Sequence, residues 1–359
     1  MIAITGGGTG GHIFPNIAVI EALRDRGGGR VFWIGKKRSS EEKEAENAGV
    51  AFYGIRAGKL RRYFSVKNIF DVFNIIAGFL QSLIILGRLK PQVLFSKGGF
   101  VSVPPAAAAR MLGIPVITHE SDIIPGLANR IISRTASLVC VSFEKTAQYF
   151  PGKRVEITGN PVRAVVERGN RQKGLEFLGF DETTPVVLVI GGSLGAAFLN
   201  RIVREMVSGN DVPFRVAHQC GRGNIDTELL GRRGYRQFEF IFREIGDVLA
   251  AADIVVSRAG AGAIFEICCC GRPSVLIPLP REQSRGEQIQ NAAFVKEKGA
   301  AVVVQEHSID GRRLLEILTV LLADRKKLAE MGKNASSLYR HRAHEKIAEL
   351  ILNELKYKK

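Results

Sequence analysis

The stretch from Met1 to Ile17, MIAITGGGTGGHIFPNI, constrains the fold more than any other part of the chain. Ile2-Ala3-Ile4 is a short apolar run suited to a strand buried on both faces. Five of the six residues from Gly6 to Gly11 are glycine, and His12 follows at once. After Pro15, the segment Ile17 to Leu23 carries helix formers with an apolar side. A strand, a glycine turn and a helix N-terminus in that order make the building unit of a parallel α/β sheet. Lacking Cβ atoms, the turn lets backbone N–H groups approach a ligand, and the helix dipole favours an anion there. A phosphate group is the expected occupant.

The same device recurs twice. Val93 to Ser96 runs into Lys97-Gly98-Gly99-Phe100 and then an alanine-rich helix at Ala106 to Leu112. Val186 to Ile190 runs into Gly191-Gly192-Ser193-Leu194-Gly195-Ala196, with a helix expected from Phe198 to Met206. Further strands are expected at Val31 to Ile34, Val50 to Tyr53, Pro115 to Thr118, Leu138 to Val141 and Val155 to Thr158. Later ones fall at Phe214 to Gln219, Phe238 to Ile241, Ile254 to Ser257, Ser274 to Ile277 and Ala301 to Val304. Gly159-Asn160-Pro161-Val162-Arg163 reads as a hinge. With 359 residues, 46% of them hydrophobic, the chain can fill two cores. We expect an N-terminal domain over residues 1–160 and a second over 164–338, with a helix from about 340 to 359 packing back on the first.

Gly6, Gly8 and Gly11 also satisfy G-x-G-x-x-G, which keeps a dinucleotide site open. A NAD site wants an acidic residue at the end of the second strand, where this chain has Gly35-Lys36-Lys37-Arg38; that weakens NAD and leaves NADP. No Lys-Ser/Thr pair follows the glycines, so the turn is not a Walker loop. A formal charge of +16 favours an anionic partner: a phosphorylated substrate, an acidic membrane surface or nucleic acid. Nucleic acid is the weakest of these, because no zinc-finger spacing, RNP pattern or long basic run is present. Cys140, Cys220 and Cys268-Cys269-Cys270 have no metal-ligand spacing and suit small buried hydrophobes in a reducing compartment. Met1 leads straight into a strand without a signal segment, so a cytoplasmic location is expected.

Tyr63 to Leu89 is the unusual segment: YFSVKNIFDVFNIIAGFLQSLIILGRL. Asp71, Asn74, Gln81 and Ser82 interrupt it, which argues against a spanning helix of about 18 clean apolar residues. Arg56, Lys59, Arg61, Arg62 and Lys67 precede or enter it, and Arg88 and Lys90 close it. A helix of this kind lies in a membrane interface or packs on the sheet, and both can hold for different parts.

Three constellations carry polar chemistry. Pro115 to Thr118 delivers His119-Glu120-Ser121-Asp122 beside a helix start at Pro125-Gly126. Ser257-Arg258-Ala259-Gly260-Ala261-Gly262-Ala263-Ile264-Phe265-Glu266 offers small residues against a flat ligand, and Glu266 sits one turn inside a helix where it can accept both hydroxyls of a ribose. Glu287, Gln288 and Asn291 share a helical side, and such amides and carboxylates suit sugar hydroxyls.

Taken together, GGGTGGHIFPNIAV, FSKGGFVSVP, HES-D-xxPGLAN, GNPVR, GGSLGAAFLN and SRAGAGAIFEI…GRPSVLIPLP…EQIQNA closely resemble one group of GT-B glycosyltransferases. These are the bacterial undecaprenyl-diphospho-muramoylpentapeptide N-acetylglucosaminyltransferases. The resemblance implies two Rossmann-like, doubly wound α/β domains facing one cleft. It implies inverting transfer of GlcNAc from UDP-GlcNAc to the MurNAc 4-hydroxyl of lipid I, giving lipid II for peptidoglycan synthesis. It implies no metal and no cofactor, and the sequence has no DxD-like pair at a strand end. The partners implied are UDP-GlcNAc, lipid I and an anionic membrane surface, at the cytoplasmic face of the inner membrane.

By the same resemblance, Thr9, Gly10 and Gly11 face the diphosphates, and His12 and Glu120 match positions suspected of acid–base or acceptor-orienting roles. Arg163 and Ser193 match donor-phosphate contacts. Ala261, Gly262, Ala263, Ile264, Phe265 and Glu266 match the segment around uridine, with Glu266 on the ribose diol. Gln288 matches a GlcNAc contact, and Phe242 or Ile241 covers the uracil. Many relatives read His-Glu-Gln-Asn where this chain has His119-Glu120-Ser121-Asp122. Asp122 can accept from sugar hydroxyls but not donate to them, and it is a further candidate base. Rivals are another glycolipid glycosyltransferase of this fold and a UDP-GlcNAc 2-epimerase.

Overall fold

In the computed structural model of the chain, residues 1–8, 10–58, 66–192, 195–209 and 211–356 are described, with 66–70 and 356 as backbone alone. The chain forms two units, Met1–Pro161 with Arg340–Lys359, and Val162–Tyr339.

The first unit holds seven strands: β1 (Ile2–Thr5), β2 (Val31–Lys36), β3 (Ala51–Ile55), β4 (Val93–Ser96), β5 (Val116–Glu120), β6 (Leu138–Val141) and β7 (Val155–Ile157). Every neighbouring pair is parallel, in the order β3-β2-β1-β4-β5-β6-β7. Strands β1, β4 and β6 are buried at every residue, as apolar runs covered on both faces must be. The connecting helices include α1 (Gly10–Asp25), α2 (Ser40–Asn47), α3 (Val66–Leu89), α4 (Val103–Met111) and α5 (Leu127–Ser133). The strand order turns back between β1 and β4, so the crevice for a ligand opens at their carboxyl ends. Helix α1 starts at Gly10 rather than after Pro15. Pro15 therefore lies inside the helix, at its sixth residue, where it cannot donate an i→i−4 bond.

Helix α3 has two different faces. Leu86 is fully buried, and Phe79, Leu83, Ile85 and Leu89 pack on the sheet core around it. The residues that interrupt its apolar run seat this face. The Gln81 side-chain oxygen accepts from Arg56 N–H at 2.7 Å, Ser82 Oγ donates to the Gly78 carbonyl at 2.7 Å, and a Cβ on Gly78 would lie 2.1 Å from the Arg56 carbonyl oxygen. Val72, Phe73, Ile76, Leu80 and Ile84 are exposed on the other side. By length and composition Asp71–Leu89 is apolar enough to cross a membrane, against the expectation from its polar interruptions. The packed face nevertheless ties the helix to the protein. Lys59, Arg61, Arg62, Tyr63 and Phe64 lie outside the described residues, and Lys67 is described without its side chain.

The second unit opens with α6 (Ala164–Glu167) and α7 (Arg171–Leu178). Its strands are β8 (Val186–Ile190), β9 (Arg215–Gln219), β10 (Tyr235–Phe238), β11 (Ile254–Ser257), β12 (Ser274–Leu276) and β13 (Ala301–Val303), all parallel in the order β10-β9-β8-β11-β12-β13. The reversal here falls between β8 and β11. Helices α8 (Ala197–Gly209), α9 (Ile245–Ala251), α10 (Ala261–Cys269), α11 (Glu287–Glu297), α12 (Gly311–Ala323) and α13 (Arg325–Leu338) follow in order.

Strand β10 lies three residues earlier than expected. Buried Tyr235 anchors it through a 2.8 Å hydrogen bond between its hydroxyl and His218 Nδ1, and Gln219 Oε1 accepts from Ile241 N–H at 2.9 Å, drawing 239–242 into a loop. Cys140, Cys220 and Cys268 are buried free thiols; Cys269 and Cys270, at the end of α10, are only half-buried.

The last helix, α14 (Ala343–Lys356), returns to the first unit. Its Ile347, Ala348, Leu350 and Ile351 join the core with Ile2, Ile4, Val19 and Leu23, and Glu345 pairs with Arg26 at 2.6 Å.

Candidate active site

In the first unit the glycine turn after β1 is shaped by what lies beneath it. Gly6 and Gly8 have φ of +153° and +91°. A Cβ on Gly6 would lie 2.8 Å from the Lys97 Cβ and 2.7 Å from Asn16 Nδ2, so only glycine fits. Glu41, a buried carboxylate reaching in from α2, accepts the Gly8 N–H at 2.8 Å. This narrows the expected phosphate cradle: that amide is taken, and the N–H groups left for an anion are those of the first turn of α1, which begins at Gly10 and Gly11. It also leaves the carboxylate nearest the end of β2 engaged on the turn instead of poised for a ribose. Thr9 lies outside the described residues.

The turn after β4 meets the first one around His12. Gly98 and Gly99 have φ of +91° and +84°. A Cβ on Gly99 would fall 2.5 Å from the Gly7 carbonyl oxygen and 3.2 Å from His12 Cδ2. His12 Nδ1 lies 3.2 Å from the Lys97 carbonyl oxygen. A carbonyl only accepts, so Nδ1 carries the hydrogen and the lone pair of the neutral ring is on Nε2.

Glu120, at the end of β5, holds the loop that follows it. Its Oε1 accepts from Asp122 N–H at 2.9 Å, and its Oε2 accepts from Gly126 N–H at 3.0 Å and Asn129 Nδ2 at 2.9 Å. The carboxylate is buried and spends its oxygens on shaping the loop from 122 to 129. Asp122, half-buried, is carried on that loop. His119 is buried with Nε2 2.9 Å from the Gly159 carbonyl oxygen; burial, assisted by the charge of Lys97, holds its pKa well below the ordinary histidine value. It is a neutral structural ring.

Sequence reasoning missed Lys97. Its side chain is fully buried, its Nζ donates to Ser121 Oγ, and burial lowers its pKa to about 8 against the raising influence of Glu120 and Asp122. The available signal was a lysine placed directly between an apolar strand and a Gly-Gly turn.

In the second unit, Gly192 and Gly195 have φ of +89° and +78°. A Cβ on Gly195 would lie 2.1 Å from the Cys220 carbonyl oxygen. Gln219, at the end of β9, ties this turn to the next loop: its Nε2 donates to the Gly192 carbonyl at 3.3 Å while its Oε1 holds Ile241 N–H. Ser193 lies outside the described residues. Ile241 is buried, whereas the Phe242 ring is exposed, 6.1 Å from the Phe240 ring. Of the two residues expected to cover the uracil, Ile241 and Phe242, only Phe242 offers an exposed ring.

After β11 the chain passes through Gly260 into α10, and Ala261, Gly262 and Ala263 form its first turn. The side chains of Ile264 and Phe265 are buried in the core, so this stretch meets a ligand only through backbone and small side chains. Glu266 Oε1 accepts from Arg163 Nε at 2.9 Å, bringing together two residues that the sequence placed separately. Gln288 Oε1 accepts from both Ala259 N–H (3.2 Å) and Leu279 N–H (3.1 Å), which leaves its amide nitrogen as the donor for a hydroxyl. Buried Asn291 donates to the Ala259 carbonyl at 3.1 Å, and Glu287 accepts from Arg285 N–H at 2.8 Å. Of that helical side Gln288 is the residue tied to the loops before α10 and after β12. Among the described residues no three His, Cys, Asp or Glu side chains converge as a metal site would require.

The chain matches the glycosyltransferase family 28 N-terminal domain over residues 2–141 and the glycosyltransferase family 28 C-terminal domain over residues 186–351. It is 41% identical over 351 residues to the UDP-N-acetylglucosamine–N-acetylmuramyl-(pentapeptide) pyrophosphoryl-undecaprenol N-acetylglucosamine transferase of Legionella pneumophila (strain Lens), covering 98% of this chain and 96% of that one. The crystal structure of Acinetobacter baumannii MurG superimposes with a TM-score of 0.77 at 27% identity, covering 98% of this chain and 99% of the other. A UDP-GlcNAc 2-epimerase from Neisseria meningitidis, bound to UDP-GlcNAc, shares the fold at 15% identity and a TM-score of 0.68, over 98% of this chain and all (100%) of that one.

Proposed function

Because the chain belongs to glycosyltransferase family 28, we propose roles for the two switch-point sites in one reaction. The protein is a UDP-GlcNAc-dependent glycosyltransferase that moves GlcNAc onto the MurNAc of lipid I, forming lipid II. The second unit holds the donor. Glu266 accepts from the ribose hydroxyls, steadied by Arg163; Phe242 stacks on uracil; the Gln288 amide donates to a GlcNAc hydroxyl; Ser193 and the glycine turn after β8 face the diphosphate.

The first unit holds the acceptor. The start of α1 receives its diphosphate, and His12 Nε2 removes the proton of the MurNAc 4-hydroxyl as its oxygen attacks the anomeric carbon. The bond from that carbon to the UDP oxygen breaks on the opposite face, so configuration inverts and UDP leaves with the bonding pair. Glu120 positions the loop carrying Asp122. The observation that carries this scheme is the His12 ring, held by the Lys97 carbonyl between two glycine turns with its proton-accepting nitrogen defined. Incubation with labelled UDP-GlcNAc and lipid I gives labelled lipid II. Formation of UDP-ManNAc without an acceptor would mark an epimerase instead.

The exposed face of α3 supports docking on a membrane. Val72, Phe73, Ile76, Leu80 and Ile84 line one side, with Arg56, Arg88 and Lys90 exposed nearby in sequence. An apolar stripe with basic flanks lies on an anionic leaflet, each cation near the surface contributing about 1 kcal/mol, screened by salt. On this reading the protein works at the cytoplasmic face of the inner membrane, beside its lipid-linked acceptor. Co-sedimentation with anionic vesicles should fall as salt rises and fall again in a Phe73→Asp, Ile84→Asp variant. Binding indifferent to both changes would remove this role from α3.

A further inference from the structure

A lysine with no exposed surface at the centre of a binding crevice needs an account. Lys97 leaves the carboxyl end of β4, next to β1, at the switch point of the first unit. Its stem runs under Gly6, its main-chain carbonyl accepts from His12 Nδ1, and its Nζ donates to Ser121 Oγ. Ser121 in turn lies 3.1 Å from Asn160 Oδ1. One residue therefore touches the glycine turn, the ring of the base and the loop after β5. The lysine bonds to Ser121 and feels the charge of the next residue, Asp122.

Building on the acceptor role of this unit, we propose that Lys97 is a positioning residue for the acceptor, its ammonium clamping the Ser121–Asp122 turn and Asp122 serving as its counter-charge. A buried ammonium without a compensating carboxylate would lose its proton. The groups that face it are Glu120 and Asp122 from the β5 end, which favour its charge, together with Cys140 on β6. Its own charge acts on His119, and His12 lies at its carbonyl. Glu120 is committed to the loop backbone, so Asp122 is the partner that a substitution can vary. Burial lowers the Lys97 pKa to about 8, so the clamp loosens as pH rises through that value.

The test is a double-mutant cycle in steady-state transfer from UDP-GlcNAc to lipid I. Lys97→Met should raise the acceptor KM at least 10-fold and leave the donor KM within twofold. Adding Asp122→Asn should raise the acceptor KM by less than the two single losses combined, because the uncompensated carboxylate goes with the ammonium. An acceptor KM within twofold of wild type in Lys97→Met, or losses that simply add in the double variant, would overturn the proposal. Should Lys97→Met fail to fold, Asp122→Asn alone decides. Loss of the counter-charge should move the alkaline limb of kcat/KM to lower pH, and an unmoved limb overturns the clamp. A wild type that makes no lipid II would refute the transferase assignment itself, whereas an active wild type with an unaffected Lys97→Met refutes only the clamp.

Discussion

The two switch points share a topology and differ in what lies under their glycine turns. Beneath the first unit's turns are charges: Lys97 and Glu41, both buried, with His12 between the loops. The second unit's turn rests on neutral amides: Gln219 holds Gly192 and Ile241, and Gln288 and Asn291 hold the loop before α10. Charged pairs flank these amides, Arg163 with Glu266 and buried Arg258 with Glu306, each neutralised within the pair. Topology thus supplies two equivalent crevices, and the side chains below them divide the labour. The charged floor suits proton transfer and an anionic acceptor, and the neutral one suits hydrogen-bond selection among hydroxyls.

The largest test of this contrast is His12→Ala. General-base assistance is typically worth about 10²–10⁴ in rate, so kcat should fall by that order. The dissociation constant for UDP-GlcNAc, measured by calorimetry, should stay within a few-fold, because the donor groups belong to the other unit. Should kcat survive this change and collapse in Asp122→Ala, the base is the carboxylate and His12 only orients the acceptor.

Glu266→Gln probes the neutral side. Hydrogen bonds to a charged acceptor are worth about 1.5–3 kcal/mol, so the donor KM should rise roughly 10- to 100-fold with a smaller change in kcat. A matching rise in the acceptor KM would blur the division between the units.

The smallest effect separates two glycines of one turn. Gly192→Ala meets no atom within 4 Å and faces only its φ of +89°, a cost of about 1–2 kcal/mol in thermal unfolding. Gly195→Ala adds a Cβ 2.1 Å from a backbone carbonyl oxygen, so it should destabilise the second unit more than its neighbour does. Equal losses would mean that the backbone at Cys220 yields easily.

Much of the fold was written locally. The strands β1, β4, β8 and β11 stand where short apolar runs meet glycine-rich turns, because a strand buried on both faces leaves few other sequences possible. The edge strand β10 was misplaced, since one neighbour and one covered face impose a weaker pattern. Helix α3 shows the same limit. Its composition announced an apolar segment, but which face packs was fixed by Gly78 and Gln81 meeting the chain around Arg56.

The sequence by itself determined the glycine turns, the histidine at a helix start and the carboxylate one turn into a helix, because these are short-range patterns; the reaction class followed from the family that those motifs resemble. Tertiary structure alone decided what those residues do. Glu120 proved to be spent on backbone N–H groups, Gln288 on two loops at once, Glu41 on Gly8, and Lys97 became a buried ammonium beneath the base. Hydrogen-bond satisfaction and desolvation depend on partners distant in the chain, between 24 and 33 residues away for Lys97 with Ser121 and Gly8 with Glu41, and no local pattern encodes them.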